Sequence, residues 1–448
     1  MLFFDAENSP QGTSTQQGRS MKKSVIALGA LAMFANVAHA QDANVTLYGV
    51  IDLAIGNVKE SLSTNANFPA TVIPGTSKTL TSVNNSATGM FNGGISDSRW
   101  GLRGSENLGG GMQAFFLLES GFDANSGALN SAAAALSQNT STKSGTASAT
   151  SALDGQLFNR AAYVGISDAN LGSLSFGRNT NPILDLAVGY DPLQDAQLLS
   201  PLGFSGAIGG GGGVSDYSRL DNSIKYKNKI GDANIGVLYK LGGYAGNNAA
   251  GSGYALSAGY EAGKLGVQAV YESFTDVIKS TNPSVVGDIG ALLYNTKAFM
   301  AVAKYHLTDD WTLEAGFERY SLNAASDTLA SLGVTSLYGY TISTSSAAAT
   351  YTGPDQANNV YFIGGDYNFT HAFNLAAAFY DQHAEAFSST PAGDIRSYSV
   401  LADYHLSKRS DVYAGFMYST FSSTDAGGLY VGSNPNNYIA AIGVRHKF

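Results

Sequence analysis

The 448-residue chain has no cysteine, which removes thiol nucleophiles, cysteine-ligated zinc and iron–sulfur clusters from its possible chemistry. Charge is also scarce: 13% of residues are Asp, Glu, Lys or Arg, and the formal net charge is −9. Nucleic-acid binding needs clustered cations, and no Lys/Arg run interrupts this acidic balance, so no nucleic-acid partner is expected. The six histidines are scattered, with His306 and His405 each following a tyrosine at the end of an alternating run. Neither His-Glu-x-x-His nor Gly-x-Ser-x-Gly occurs, and the glycine run 209–213 has no following Gly-Lys-Ser/Thr. No metal, cofactor or enzymatic activity is therefore expected. Proline is limited to ten positions and tryptophan to two, while glycine reaches 53, tyrosine 25 and phenylalanine 22. That balance favours many strands over long helices.

The N-terminal region reads as an export signal. Met21-Lys22-Lys23 precedes an apolar run over 25–37, and Ala38-His39-Ala40 supplies a small-residue cleavage site before Gln41. Charge, apolar stretch and small residues in that order describe a secretory signal peptide. The expected organisation is an extension over 1–20 that belongs to neither signal nor fold, a signal peptide over 21–40, and one barrel domain over 41–448. Nothing else approaches the length of apolar chain a transmembrane helix needs, so any membrane insertion must be by strands.

Strand periodicity is explicit at both ends. Val45, Leu47, Gly49, Ile51, Leu53 and Ile55 share one face, and Thr46, Tyr48, Val50, Asp52 and Ala54 the other. Near the C-terminus Tyr438, Ala440, Ile442, Val444, His446 and Phe448 repeat the pattern. Reading every such run predicts sixteen strands, starting near residues 43, 98, 112, 158, 172, 221, 233, 253, 265, 295, 311, 357, 373, 395, 411 and 437. Short connections, such as 108–111, 168–171 and 228–232, alternate with long ones at 59–97, 123–157, 179–219, 241–252, 273–294, 323–356, 384–394 and 422–436. An even strand number with short turns on one side and long loops on the other is the layout of a closed outer-membrane barrel. Nine of the prolines, among them Pro182, Pro192, Pro201 and Pro283, fall in the predicted long loops, as a closed ladder requires. Tyr305, Trp311, Tyr367, Phe369, Phe373, Tyr404 and Phe448 flank short turns and suggest an interfacial aromatic girdle. A secreted soluble sandwich shares the same period, but sixteen strands with one apolar face would need roughly two stacked cores in water, and the Arg and Glu in mid-strand on the other face suit a wet lumen better.

Several segments carry a family resemblance. Val45-Thr46-Leu47-Tyr48-Gly49-Val50-Ile51-Asp52, Ser98-Arg99-Trp100-Gly101-Leu102-Arg103-Gly104, Asn159-Arg160-Ala161-Ala162-Tyr163 and Gly172-Ser173-Leu174-Ser175-Phe176-Gly177-Arg178 resemble the general porins of Gram-negative bacteria, particularly the β-proteobacterial type. So do Asp221-Asn222-Ser223-Ile224-Lys225-Tyr226 and the terminal Gly443-Val444-Arg445-His446-Lys447-Phe448. The resemblance implies an all-β, 16-stranded antiparallel transmembrane β-barrel with an inward-folded third loop, assembled as a homotrimer in the cell outer membrane. It also implies passive diffusion of ions and small hydrophilic solutes. Outer-membrane lipid, lipopolysaccharide and the barrel assembly machinery are the implied partners, with Phe448 as the assembly signal. A substrate-specific, sugar-type channel stays open as the alternative. The lumenal face offers Tyr48, Tyr320 and Tyr380 as isolated aromatics.

A pore selects by width and by the charge lining its narrowest part. Parity sends Arg99 and Arg103 into the lumen opposite Trp100 and Leu102, Arg160 opposite Tyr163, and Arg219 opposite Ile224 and Tyr226. The family's basic arc carries over onto Arg99, Arg160 and Arg219, with Arg103 added by parity. Arg178 shares parity with Leu174 and Phe176, which points it at lipid unless a bulge turns it inward. Asp185, Asp191, Asp195 and Asp216 in the third loop, 179–219, are expected to face that arc and set up a transverse field. The competing expectation is that Glu106, Glu119 or the loop acids simply pair with the arginines. N-terminal sequencing of the exported protein is expected to begin at Gln41; another start would move the domain boundary.

Overall fold

The computed structural model describes residues 44–63, 82–129, 157–202, 218–285, 288–337, 340–342, 348–386, 392–422, 425–426, 429–430 and 436–448. The expected extension, the signal peptide, Asp216 and the glycine run 209–213 lie outside the described residues.

Sixteen strands form one closed antiparallel barrel. They are β1 (Asn44–Ser63), β2 in two segments (Ser82–Asn92 and Arg99–Gly109), β3 (Met112–Asp123), β4 (Ala161–Asp168), β5 (Gly172–Thr180) and β6 (Arg219–Ile230). Then come β7 (Ala233–Lys240), β8 (Gly253–Ala262), β9 (Leu265–Val285), β10 (Asp288–His306) and β11 (Trp311–Asn323). The circuit ends with β12 (Gln356–Thr370), β13 (Phe373–Ala384), β14 (Gly393–His405), β15 (Ser410–Ser422) and β16 (Asn436–Lys447). Each strand pairs with its sequence neighbour, and β1 pairs with β16 from Val50↔Lys447 to Lys59↔Tyr438. Gly49 and Phe448 then exchange reciprocal backbone hydrogen bonds of 3.0 Å, so closure runs to the last residue.

Alternation sorts the two faces. On β1, Val45, Leu47, Ile51 and Ile55 are exposed, whereas Val50, Asp52 and Ala54 are buried. On β12, Tyr361 and Ile363 are exposed while Val360 and Phe362 are buried. The outward face is thus the apolar one, as lipid requires. Tyr305, Trp311, Tyr367, Phe369, Tyr404 and Phe448 are all exposed beside short turns, and Trp311, Tyr367 and Phe369 form a chain of edge-on contacts.

Three expectations need correction. The predicted loop 59–97 is largely strand: β1 continues to Ser63 and pairs with Ser82–Asn92, so the second strand is interrupted rather than starting near 98. The predicted loop 273–294 is a long hairpin in which β9 and β10 pair as far as Val285↔Asp288. Beyond the lipid an outward residue no longer has to be apolar, so the period that marks a strand fades while the hydrogen-bond ladder continues. Pro283 therefore lies within the bounds of a strand, not in a loop. The ladder is irregular there, with a register shift between Thr281 and Val285 that accommodates a residue without an N–H.

The third connection contains a helix that periodicity does not show, α1 (Pro182–Tyr190). Asn181 caps it by accepting from the Ile183 N–H at 3.3 Å, Pro182 opens the first turn, and Asp185 complements the positive end. From α1 to Leu202 the chain packs on the buried face of the wall. Ile183, Leu186, Tyr190, Leu193, Leu199 and Leu202 join one apolar cluster with Val270, Met300, Val360, Phe362 and Tyr380. The lumenal face of β9–β15 is therefore apolar where the segment lies on it, not uniformly polar. At Gly415 a Cβ would stand 2.1 Å from Leu199 Cδ1, so any larger residue there would displace the Leu199 side chain.

Ile363 sits at the middle of β12 and is 60% exposed. Ile363→Lys is expected to lower folding stability in lipid vesicles by about 2–4 kcal/mol, the cost of a cation at the bilayer midplane. Urea titration monitored by tryptophan fluorescence reads it.

Candidate functional site in the barrel wall and third loop

Four strands and their junctions bring five arginines to one side of the wall. Arg160, at the entry to β4, donates from Nε to Glu119 Oε1 at 2.7 Å and from Nη1 to Asp97 Oδ2 at 2.5 Å. Arg99 on β2 lies 3.6 Å from Glu119 and donates to the Asp97 carbonyl at 3.0 Å. Tyr48 on β1 donates to the other Glu119 oxygen at 2.7 Å, and the Arg103 guanidinium sits 5.2 Å above its ring. Arg219 is buried, bonded to Ser218 Oγ at 3.1 Å, with no ion pair among the described residues.

Arg178 is on the lumenal side. The β5–β6 register shifts between Gly177 and Asn179, and Gly177 adopts φ +135. A Cβ at Gly177 would meet the Ala162 carbonyl oxygen at 2.2 Å. At this bulge two residues of β6, Asp221 and Asn222, oppose Arg178 alone, and Arg178 turns to Asp221 at 2.7 Å and the Asn159 carbonyl at 2.8 Å.

The third-loop acids are not equivalent. Asp185 leaves the arginines alone and bridges Lys225 at 2.7 Å and Lys227 at 2.5 Å. Burial opposes its ionisation, but the two ammoniums outweigh that and hold its carboxyl below the usual range. Asp191 is buried, accepting from Tyr380 Oη at 2.5 Å and from the Asp195 N–H at 2.8 Å. Asp195 is only half-buried as a residue, yet its Oδ1 is enclosed without a hydrogen-bond partner among the described residues. Burial, then the nearby Asp191 and Asp97, push its carboxyl well above the usual range, against the pull of Arg219 and Arg160. Of the three, Asp195 is the one whose surroundings include the arginine cluster.

A model of the Gram-negative porin family matches residues 27–424. The chain belongs to the Gram-negative porin family. This porin is 36% identical over 214 residues to an outer membrane porin protein of Bordetella pertussis, a match covering 46% of this chain and 44% of that protein. The porin spans about half the length of the curated relatives it matches. In fold it resembles the anion-selective porin from Comamonas acidovorans, with a TM-score of 0.61 at 19% identity, covering 91% of this chain and 100% of that one. It also resembles a trimer form of OmpT of Vibrio cholerae, with a TM-score of 0.51 at 14% identity, covering 91% and 100%. Family and fold make it an integral β-barrel of the outer membrane.

Several residues that organise the porin's wall carry no mark in the sequence. Asp52 accepts from the backbone N–H groups of Gly94, Ile95 and Ser96 at 3.1, 3.1 and 2.7 Å and from the Tyr413 hydroxyl. That holds the bend between the two segments of β2, presents Asp97 to Arg160, and leaves the Gly94 carbonyl to accept from Leu198 N at 3.0 Å. Near the short turns Arg445 reaches Asp411 at 3.0 Å, Asp403 at 3.4 Å and Ser96 Oγ at 2.9 Å. Asp403, His405 and Asp411 are close enough together to hold a metal ion, but the Arg445 guanidinium already supplies a fixed cation to both carboxylates. No motif marks these groups; it is cross-strand register that brings them together.

The raised carboxyl of Asp195 gives a signed pH dependence. The docked loop binds this proton more tightly than the undocked one, so docking is strongest in acid and weakens as pH rises from about 4, the ordinary carboxylate range, toward the raised value. Asp195→Asn is expected to flatten that dependence. Limited proteolysis of loop 179–219 across pH 4 to 8 (approximate limits set by the same range) measures it.

Proposed function

We propose that the chain forms an aqueous channel for passive diffusion of ions and small hydrophilic solutes, narrowed by the third loop and preferring anions. The observation that carries this reading is the sided lumen. Arg99, Arg103, Arg160, Arg178 and Arg219 cluster on one wall, and among the described residues only Asp97, Glu119 and Asp221 pair with them directly. The surplus is cationic. Local charge acts at short range where salt screens least, whereas the overall negative charge of the chain acts from farther away. The anion selectivity named for the Comamonas acidovorans porin is in keeping with that preference.

A homotrimer is the proposed assembly, in line with the trimer form of the Vibrio cholerae neighbour. Phe448 as the assembly signal, and lipopolysaccharide and the assembly machinery as partners, belong to the same proposal. Diffusion through such a channel involves no catalytic step. A sugar-specific channel would need a ladder of free aromatic faces. Tyr48 lies under Arg103 and Tyr380 is buried against Asp191, which favours general diffusion.

Planar-bilayer recording under a salt gradient tests the proposal. Stepwise conductance with an anion-favouring reversal potential is expected, and strong cation selectivity would sink it. A unit charge acting through water over about 5–8 Å is worth ~0.5–0.8 kcal/mol. Arg99→Ala or Arg160→Ala should therefore shift the permeability ratio toward cations by about two- to fourfold. Unchanged reversal potentials in both would assign these arginines to holding the wall together.

A further inference from the structure

Below α1 the lumen holds a second basic feature separate from the arginine arc. Lys225, Lys227 and Lys229 occupy alternate positions of β6, so their side chains leave the same face at rungs about 6.6 Å apart. Lys304 on β10 stands across from them, its Nζ 4.6 Å from the Tyr190 ring centroid and 3.6 Å from Glu261. Lys227, Lys229 and Lys304 line a cavity of about 710 Å³ together with the amides of Gln113, Asn234 and Gln268.

The upper rung shows what this ladder does to an oxygen anion. A single oxygen of Asp185, a carboxylate from the protein's own third loop, is held by Lys225 at 2.7 Å and Lys227 at 2.5 Å. The next pair down, Lys227 and Lys229, repeats the spacing toward the short turns. Lys229 is exposed and has no ion pair among the described residues. Two other acids border the cavity. Glu261 is engaged by Lys304 and the Tyr190 hydroxyl, and Asp168 accepts the backbone N–H groups of its own turn. Three lysines and three acids line the cavity, and Lys225, behind Asp185, tips the local balance positive.

We propose that this cavity is a binding station for a small dianionic oxyanion of the phosphate class, held by Lys227, Lys229 and Lys304 with amide donors from Gln113, Asn234 and Gln268. The proposal rests on the open-channel reading and adds a preference within it. Tetrahedral oxygens can accept from several ammonium and amide N–H donors at once, whereas chloride offers one centre and half the charge. Transit through the lower lumen then becomes a stepwise exchange, in which the entering oxyanion takes the rung next to the one Asp185 occupies.

The test uses the folded full-length barrel in two settings. In a planar bilayer conducting chloride, inorganic phosphate is titrated into both compartments at about pH 8, where it is a dianion. The chloride current is expected to fall to a plateau. K229Q/K304Q removes two ammoniums at roughly 6 Å, each worth about threefold against a dianion once about 0.1 M salt screens the interaction, so its half-blocking concentration should rise about tenfold, read against the variant's own chloride current. Calorimetric titration of the detergent-solubilised protein with phosphate should show the same tenfold weakening. Equal phosphate affinity in wild type and K229Q/K304Q by calorimetry, or a block that never saturates, overturns the site. Absence of chloride current in the wild type would instead overturn the open-channel reading, while calorimetry still decides the site.

Discussion

Inside a bilayer no water reaches the backbone, so every N–H and C=O of a spanning segment must find a partner within the protein. Strands can satisfy that only by closing on themselves. Here the closure is completed by the first and last strands, with Gly49 and Phe448 bonded to one another at the final residue. Once the ladder is closed, parity divides the chain's labour: one set of alternate residues meets lipid and the other is free to carry chemistry. Lys225 and Asp52 can be buried and ionisable, and Glu119 half-buried, because Ile224, Ile51 and Leu118 satisfy the lipid.

The ion pairs of the lumen are better understood as positioning than as stabilisation. Desolvating two charges consumes most of the attraction between them, so Arg160 with Asp97 and Glu119 adds little to folding. What the pairs do is fix where each guanidinium sits. Asp97 itself is placed by the Asp52 carboxylate, which gathers three successive backbone N–H groups into a bend. The arginine cluster is thus aimed through two further carboxylates, neither of which is itself cationic or in the third loop.

Strand number, alternation, the inward face of β1 and β6 and the turn-flanking aromatics are legible in the sequence because lipid imposes a period of two on any segment crossing it. The same physics explains what is not legible. Asn57, Lys59 and Glu60 continue β1 beyond the apolar band, where the period no longer has to hold. Strict parity sends Arg178 outward because a count of two along β5 has no means of registering the bulge that β6 makes opposite it, at Asp221 and Asn222. The helix start at Asn181-Pro182 with Asp185 is present as a capping signature, though hidden inside a segment that otherwise reads only as a loop. The partners of the arginines depend on register between strands, as with Arg103↔Leu117 and Gly101↔Glu119, and a single strand does not contain that information.

The segment from α1 to Leu202 touches β8 through Tyr190 and Glu261, β13 through Asp191 and Tyr380, β15 through Leu199 and Gly415, and the β2 bend through Leu198. A hollow cylinder of hydrogen-bonded ribbons has little resistance to flattening, since neighbouring strands can hinge about their shared ladder. A member fastened to distant points on its inner circumference supplies that resistance, as a tie-rod keeps an arch from spreading. Lateral pressure from the membrane is then carried across the bore as well as around it, and the cross-section keeps its roundness.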